Sequence, residues 1–334
     1  MNKINKDEND SGSLLLGEHK LYDLTTANKV IFDMNDFKKN FRIVIVRYNP
    51  YEIEFDLIGI HTSLVNSIRR VILSDVPSMA IEKVHIYNNT SIIQDEVLAH
   101  RLGLVPLKAD PRLFEFHNKE NAEYADNECL EYELKIKCSH NKDGNKDSAC
   151  ANDLYKNNNV YSKHIKWLPI GNQSEYYKES DVCAIDDKIL IAKMRPGHEM
   201  DIKLIAVKGI GRDHAKFSPV ATAFYRLLPN IKLIKPVEGE AAERLQKCFS
   251  PGVIAIEDKN GKKVAKVNSA RYDMSSRNIY RHEDLRESVI MSKIDNHFIF
   301  TIESVGALPA ADIFKEAITI LKNKCLSLLE EIST

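Results

Sequence analysis

The strongest constraint on the fold comes from the C-terminal segment PAADIFKEAITILKNKCLSLLEEI. Pro309 stands near the first turn of a helix, and the apolar spacing after it predicts one long α-helix. The apolar residues would cover more than half of its circumference, whereas a helix packed on one sheet needs a narrower stripe. We therefore expect two contacts, one with the chain's own sheet and one with a partner. The apolar set is Ile313, Phe314, Ala317, Ile318, Ile320, Leu321, Cys325, Leu326, Leu328 and Leu329.

Length and composition allow a large core and exclude several classes of protein. The chain has 334 residues, of which 43% are hydrophobic, and this is enough for one large domain or two. Its net charge of −1 lacks the basic excess of a protein that binds nucleic acid by neutralising phosphates. Six cysteines without a C-x-x-C pair predict free thiols in a reducing compartment. No apolar run approaches a membrane span or a signal sequence, so we expect a soluble intracellular protein.

The N-terminal part of the chain predicts a tail, a hairpin and a helix. Residues 1–40 are polar and mixed in charge, which indicates a mostly disordered tail. The stretches FRIVIV and EIEFDLIGI flank the turn YNPY and predict a β-hairpin. In HTSLVNSIRRVILSDVP, apolar residues recur at helical spacing up to Pro77, which predicts an amphipathic helix.

Regular strands and a short helix follow in the rest of the chain. The stretch ECLEYELKIKC alternates apolar and charged residues and predicts a half-buried strand. The stretches DIKLIAVKGIG, SPVATAFYRLLP and HFIFTIESVGAL are further strand candidates, the second of them ending at Pro229. A helix is predicted for EGEAAERLQKCF, and KNGKK is predicted to turn the chain between two short strands.

The stretch VKGIGRDHAKFSPV offers a possible phosphate cradle, with Gly209 and Gly211 after a predicted strand. A dinucleotide fingerprint also needs a third glycine and a helix that opens directly after it. His214 occupies the third-glycine position, and Pro219 suits a loop and a strand rather than a helix. The preferred interpretation is a glycine turn between strands, with a nucleotide-dependent enzyme built on Gly209 and Gly211 as the alternative.

Other side chains carry no recognisable catalytic signature. Cys248 has no linked histidine base, and Glu96 with His100, four residues apart on a predicted helix, lacks a third ligand. A local basic patch around residues 195–216 favours a solvated face or a protein interface, because aromatic residues do not alternate with the basic ones. A zinc site is a further alternative, although its spacings lack a paired knuckle; its ligands would be Cys129, Cys138, His140 and Cys150.

Four stretches, in order along the chain, resemble the RNA polymerase α family. They are HTSLVNSIRRVILSDVPSMAIEKVHI, NTSIIQDEVLAHRLGLVPLKADP, GIGRDHAKFSPVATAFYRLLP and NHFIFTIESVGALPAADIFKEAITILKNK. In this family, the polymerase II branch has a zinc-binding cysteine cluster after GLVPL, and many archaeal members have an iron–sulfur cluster after YRLLP. Residues 108–128 contain no cysteine here, and residues 230–296 contain only Cys248, which cannot ligate a cluster alone. The stretches VPLKADPRLF, FYRLLP and QKCFSPGVI instead resemble the larger α-like subunit shared by RNA polymerases I and III.

The resemblance implies an α+β fold in two parts. A discontinuous dimerisation domain, an antiparallel sheet with helices, would combine residues 41–77 with residues 216–334. Within it, residues 230–295 would form a small excursion. Residues 78–215 would form an inserted, mainly-β α/β domain, and residues 1–40 would remain a tail.

The resemblance also implies a non-catalytic role in the assembly of RNA polymerases I and III. The chain would form a heterodimer with the small α-like subunit and dock the second-largest subunits of both enzymes. Shared small zinc-binding polymerase subunits are further expected partners. The complexes would transcribe ribosomal RNA precursor, 5S RNA and tRNA in the nucleus, that is, in nucleolus and nucleoplasm. No cofactor, direct nucleic-acid contact or membrane association is expected.

The resemblance carries residue roles over by position. Arg69 and Arg70 occupy the family's arginine pair and are expected to contact the second-largest subunit. No catalytic, cofactor-binding or metal-binding residue is implied. The expected heterodimer interface comprises Leu64, Val65, Ile68, Ile72, Phe314, Ala317, Leu321, Cys325 and Leu328. The residues expected to hold local structure or to contact a subunit are Glu96, His100, Arg101, Arg212, His214 and Lys216.

Overall fold

The computed structural model describes residues 13–18, 21–23, 33–118, 123–141, 151–259 and 261–333. The strands are β1 Ser13–Leu16, β2 Leu21–Asp23, β3 Arg42–Tyr48, β4 Glu52–Ile58, β5 Pro77–Asn89, β6 Cys129–Lys137, β7 Ser139–His140, β8 Tyr155–Lys156, β9 Asn159–Tyr161, β10 Lys166–Leu168, β11 Leu190–Lys193, β12 Glu199–Ile210, β13 Val220–Leu233, β14 Ile254–Lys259, β15 Lys262–Val267 and β16 Val289–Ser304. The helices are α1 Met34–Asn40, α2 Thr62–Ser74, α3 Asp95–Gly103, α4 Ala151–Leu154, α5 Gln173–Tyr176, α6 Glu179–Val182, α7 Glu240–Cys248, α8 Glu283–Arg286 and α9 Ala310–Ser333.

The larger sheet has six strands in the order β2-β1-β16-β4-β3, with β13 also paired to β16. The predicted hairpin is confirmed, since β3 and β4 are neighbours in this sheet. Along β4, Ile53, Phe55 and Leu57 are buried at period two, as the sequence predicts. Strand β13 runs through Pro229, where the sequence predicts its end. Among the described strands β13 pairs only with β16, and an edge strand tolerates a residue without an N–H.

A second sheet has four antiparallel strands in the order β10-β6-β12-β5. Strand β6 confirms its predicted alternation, because Leu130, Tyr132 and Leu134 are buried. Tyr132 lies opposite Leu204 of β12 and donates a hydrogen bond of 2.6 Å from its hydroxyl to the Val182 carbonyl. This side chain therefore satisfies its polar atom inside an apolar core.

The excursion within residues 230–295 has its own small core. The predicted helix and the predicted turn are confirmed as α7 and the β14–β15 hairpin. Ala242 and Leu245 of α7 are buried in this core, together with Val253 and Ile279. Arg271 holds two carboxylates of β4, at 2.5 Å from Glu54 and 2.8 Å from Asp56. Such half-buried charges are tolerated because each is paired and hydrogen-bonded.

The chain divides into two compact units whose boundaries differ from the predicted ones. One contains Met1–Arg47, Glu54–Asn66 and Phe224–Thr301, and the other contains Tyr48–Ile53, Ser67–Ala223 and Ile302–Thr334. The second unit thus groups α9 with the segment that the sequence predicts to be an insertion. Ion pairs contribute to this grouping, because Asp75, Arg212 and Lys324 all meet within it.

The predicted N-terminal tail is partly structured. Within residues 1–40 the structure describes β1, β2 and α1, with β1 paired to β16. Asp33 caps α1, accepting a hydrogen bond of 2.8 Å from the backbone N–H of Asn35. The sequence pattern missed these elements because each is short and lies between polar residues. Residues 1–12, 19–20 and 24–32 of the tail lie outside the described part.

Candidate subunit interface

Helix α2 forms because its apolar residues recur at helical spacing between a polar start and Pro77. His61 stands before the first turn, and its Nδ1 accepts a hydrogen bond of 3.2 Å from the backbone N–H of Ser63. This bond satisfies an N–H that the helix itself leaves unpaired. The helix ends at Ser74, whose hydroxyl oxygen lies 2.8 Å from the Arg70 carbonyl oxygen.

Four residues predicted for the heterodimer interface lie inside the chain instead. Val65, Ile72 and Ala317 have no exposed surface, and Ile68 is only 7% exposed. Their apolar spacing predicts burial correctly but does not distinguish burial in the chain's own core from burial against a partner. These four side chains therefore support the surface from beneath, and a partner cannot touch them without rearranging the core.

The other predicted interface residues do reach the surface. Leu64 and Leu328 are 40% and 57% exposed, Cys325 is exposed, and Phe314 and Leu321 are half-buried. In α9, burial is confined to the first half of the helix, where Ala310, Ile313 and Ala317 are the buried residues. The second half leaves large apolar side chains exposed to solvent.

Exposed apolar side chains of α9, together with the half-buried Leu321, form a continuous stripe. At 3.6 residues per turn they lie within an arc of about 100° on the helix surface. We name this set the α9 stripe; it comprises Ile318, Leu321, Cys325, Leu328, Leu329 and Ile332. A contiguous apolar surface of this kind on a soluble protein marks an interaction site. The predicted double contact of the C-terminal helix therefore has a physical counterpart, with one half of the helix buried and the other half exposed.

A second exposed apolar surface lies on strand β3, which the sequence pattern did not indicate as an interface. Strand β3 lies at the edge of the six-stranded sheet, and all seven of its residues are exposed. Its four central apolar residues, Ile43, Val44, Ile45 and Val46, are 46–60% exposed, so both faces of the strand are uncovered. The run IVIV was the available signal, because a strand without polar alternation is typical of one covered on both faces.

Asp75, directly after α2, collects three partners at one carboxylate. Its oxygens lie 2.6 Å from Arg212 and 2.9 Å from Lys324 of α9, and the Ser74 hydroxyl donates to it at 2.8 Å. Burial alone would raise the pKa of Asp75. The hydrogen bonds from Lys324 and Ser74 and the charges of Lys324 and Arg212 outweigh this effect and hold the pKa below its usual 3.8. The predicted contact residue Arg212 therefore has a partner within its own chain.

The glycine stretch is a close crossing of chain segments at Gly209 and Gly211. A methyl group added at Gly211 would overlap the carbonyl oxygen of Leu73, and one at Gly209 would lie 2.7 Å from the ring of Phe217. The backbone N–H of Arg212 donates to the Ser74 carbonyl at 2.9 Å. A three-residue 3₁₀ turn follows, rather than the helix that a nucleotide site needs. The preferred prediction of a tight glycine turn is confirmed, and the nucleotide alternative is not supported.

The cysteines of the zinc alternative do not form a site in the described part of the chain. Cys129 and Cys138 are buried, and burial raises the pKa of both thiols, that of Cys129 to about 11. A neutral buried thiol behaves as a small apolar group. Cys150 lies outside the described residues. Among the described residues, no group of three or more histidine, cysteine or acidic side chains could hold a metal ion.

Comparison with known proteins identifies the family. The family model of the RNA polymerase Rpb3/Rpb11 dimerisation domain matches residues 54–325, which is more than half of the chain. The chain belongs to this family.

Several known proteins are similar to this chain over most of their length. The Mus musculus protein named DNA-directed RNA polymerases I and III subunit RPAC1 is 51% identical over 301 residues, covering 90% of this chain and 87% of the relative. The Saccharomyces cerevisiae protein of the same name is 45% identical over 296 residues, covering 88% of each chain. An Arabidopsis thaliana protein named DNA-directed RNA polymerases II, IV and V subunit 3 is 31% identical over 285 residues, covering 81% of this chain and 85% of the relative.

The residues that the family resemblance places on α3 have distinct surroundings. Arg101 binds two carbonyls of β11, donating to Leu190 at 2.6 Å and to Ile191 at 2.9 Å. It thereby links a strand to α3 within the chain. Glu96 and His100 are exposed, and the ring of His100 stands 6.5 Å from that of His214 in an edge-on arrangement.

Some of the remaining basic residues form contacts within the chain, and others are exposed. Lys216 is nearly buried and donates to the carbonyl of Ile81 at 2.9 Å while pairing with Glu82. His214 Nδ1 accepts from the backbone N–H of Lys216 at 3.1 Å and so closes the 3₁₀ turn. Both side chains therefore hold local structure. Of the family's arginine pair on α2, Arg70 is exposed and Arg69 is half-buried.

One further finding concerns membranes. Among the helices of the described residues, none is both long enough and apolar enough to cross a lipid bilayer.

Proposed function

We propose that this chain is a non-catalytic assembly subunit of DNA-directed RNA polymerases I and III. The observation that carries the proposal is its identity of about half to relatives named as the shared subunit of these two enzymes, across nearly the whole chain. The match to a dimerisation domain supports assembly as its role. Such a subunit would support transcription of ribosomal RNA precursor, 5S RNA and tRNA.

The proposed heterodimer with the small α-like subunit forms through the α9 stripe. The stripe is apolar, exposed and continuous with the buried first half of the same helix, so a partner would extend the core outward. The buried residues of α2 and α9 would then stabilise these two helices without contacting the partner; they are Val65, Ile68, Ile72 and Ala317. The dimerisation domain would remain discontinuous in sequence, as residues 41–77 and 216–334, with residues 78–215 inserted.

The remaining partners are proposed from the family resemblance and from exposure. The second-largest subunits of both polymerases would contact Arg69 and Arg70, and the guanidinium of Arg70 is available at the surface. Shared small zinc-binding subunits would bind elsewhere on the chain, without direct contact to nucleic acid. The proposed location is the nucleus, in both nucleolus and nucleoplasm.

Affinity purification of the tagged full-length chain from its own cells, followed by mass spectrometry, tests this function. We expect the largest and second-largest subunits of polymerases I and III together with one small α-like subunit. A tagged chain with Ile68→Asp serves as the unfolded control, because this substitution places a charge in the core. Recovery of polymerase II subunits alone would contradict the assignment to polymerases I and III.

A further inference from the structure

The excursion within residues 230–295 contains a small pocket that no role described above uses. Its volume is about 270 Å³. Six residues line it, and four of them are basic side chains; they are Arg244, Lys247, Cys248, Asn278, Arg281 and His282.

Three short elements hold these side chains in place. Arg244 and Lys247 are three residues apart on α7 and so share one face of the helix. Asn278 and Arg281 come from one 3₁₀ turn, and His282 directly precedes α8. Each element is anchored by a buried apolar residue, which is Leu245, Ile279 or Leu285. The basic groups therefore converge because the backbone beneath them is packed.

The positive charge of the pocket is only partly neutralised by the chain itself. Asp284 pairs with Arg244 at 2.6 Å, and Glu243 is held by Lys263 at 2.6 Å. Among the described residues, no ion pair joins Lys247 or Arg281 to a carboxylate. Two cationic groups thus face one concavity without a carboxylate at ion-pair distance, although the charge of Lys247 acts on the Glu243 carboxylate. An anion would relieve the repulsion that remains.

The floor of the pocket does not supply a compensating charge. The Cys248 thiol is buried, and this burial raises its pKa, so it remains uncharged near neutral pH. Asn278 contributes an uncharged side chain that can donate and accept hydrogen bonds. The pocket therefore offers charged and neutral donors around one small anionic group.

The surroundings of the pocket favour a carboxylate over a nucleic acid. Glu240 in the first turn of α7 and Glu283 in the first turn of α8 are exposed beside the basic groups. An extended polyphosphate would meet these acids with its neighbouring phosphates and be repelled. A protein segment with one or two acidic side chains and otherwise uncharged or basic flanks avoids this repulsion.

We propose that this pocket docks an acidic side chain of another polymerase subunit, with Lys247 and Arg281 as its direct partners. This inference rests on the proposed assembly function, because the partner is taken to be a stable neighbour in the same complex. The contact would add charge-assisted hydrogen bonds at a surface separate in sequence from α9.

Zero-length carbodiimide cross-linking of the purified polymerase tests the contact directly. This reagent joins a lysine amine to a carboxylate only where the two already touch. We expect a cross-link from Lys247 to an aspartate or glutamate of another subunit. Lys247→Arg is the matched control, because it keeps the charge and removes the amine, so the complex should persist while the cross-link disappears.

Charge reversal tests the energetic contribution. Lys247→Glu with Arg281→Glu should weaken retention of the cross-linked subunit about tenfold, because two ion pairs become repulsive. Lys259→Glu with Lys262→Glu, on the β14–β15 hairpin of the same excursion, makes the same charge change away from the pocket and should leave retention unaltered. Thermal unfolding of both double variants should match that of the native chain.

Two results would overturn the proposal while leaving the assembly function intact. One is a polymerase that assembles normally with no intersubunit cross-link at Lys247 and no response to charge reversal. The other is binding of a single-stranded oligonucleotide or of inorganic phosphate to the native chain that is lost in the Lys247→Glu variant. Failure of the chain to enter any polymerase would instead remove the proposed function itself.

Discussion

At the scale of single residues, Asp75 connects three parts of one compact unit. Its side chain is only 9% exposed and binds Arg212 and Lys324, which are distant from it in sequence. Removing the charge leaves both cations without their partner, although each remains partly solvated. Asp75→Asn should therefore lower the free energy of unfolding by about 1–3 kcal/mol, measured by chemical denaturation. Asp213→Asn, at an exposed aspartate next to Arg212, should change it little.

The lowered pKa of Asp75 gives this effect a defined pH dependence. A group whose pKa is lower in the folded state contributes stability that is fully present above its unfolded pKa. This contribution is lost as the pH falls through the folded pKa, which lies below 3.8. The stability difference between the native chain and Asp75→Asn should thus be constant near neutral pH and shrink below pH 3.8. A difference that grows on acidification would contradict the ion-pair account.

Gly211 is the residue where the close crossing of segments depends on the absence of a side chain. A β-carbon there would overlap the carbonyl oxygen of Leu73, which is backbone and cannot rotate away. Gly211→Ala should destabilise the chain by about 1–3 kcal/mol in urea unfolding, as overpacking does. Gly103→Ala is the control, because its nearest neighbour would be at 3.4 Å. Equal effects of the two substitutions would show that the crossing is not tight.

At the scale of secondary-structure elements, periodicity predicted most of the fold. The period-two residues of β4 and β6 and the helical spacing in α2 fix which side chains are buried, because only one face of each element can meet the core. The same pattern could not say whose core buries them. Val65 and Ala317 have the spacing of interface residues, yet they are covered by the chain itself. The role of Asp75 could not be predicted either, since its partners converge only through the tertiary fold.

The proposed interface on α9 can be tested without disturbing the core, because the two involve different residues of the helix. Leu328 is 57% exposed, so Leu328→Asp should leave the isolated chain folded. It should nonetheless abolish co-purification of the small α-like subunit, because a charge would be buried in the contact. Asn323→Asp introduces the same group on the opposite face of α9 and should have no effect. Circular dichroism checks the folding of both variants. Retention of the subunit by Leu328→Asp would show that the interface does not include this part of α9.

Strand β3 lies at a sheet edge, where its backbone can pair with a strand of another chain. Its central residues are apolar on both faces, and edge strands in soluble proteins are normally protected by charges, bulges or covering segments. Val44→Lys with Val46→Lys places two charges on one face of the edge. This variant should reduce self-association of the isolated chain, measured by light scattering during gel filtration. Tyr87→Lys, on the edge strand β5 of the other sheet, provides the control, and an unchanged oligomer size would show that β3 is not the cause.

At the scale of the whole molecule, exposed apolar surface is the feature that separates this chain from a self-sufficient globular protein. Each compact unit has its own buried core, but the α9 stripe and β3 remain uncovered within the described residues. A monomer with such surfaces is expected to associate non-specifically until a partner covers them. Binding of a partner to the folded state then adds to the free energy of unfolding of the chain.

The proposed partner, a small α-like subunit, should therefore raise the stability of this chain in a concentration-dependent way. A partner that binds only the folded state stabilises it by about 2.7 kcal/mol at a hundred times its Kd. Thermal unfolding of the chain, followed across a titration with purified partner, should show a midpoint that rises steadily. The Leu328→Asp variant should show a constant midpoint in the same titration, because its contact surface is disrupted while its own core is intact. A midpoint of the native chain that does not respond to the partner would mean that the uncovered surfaces serve some other neighbour in the complex.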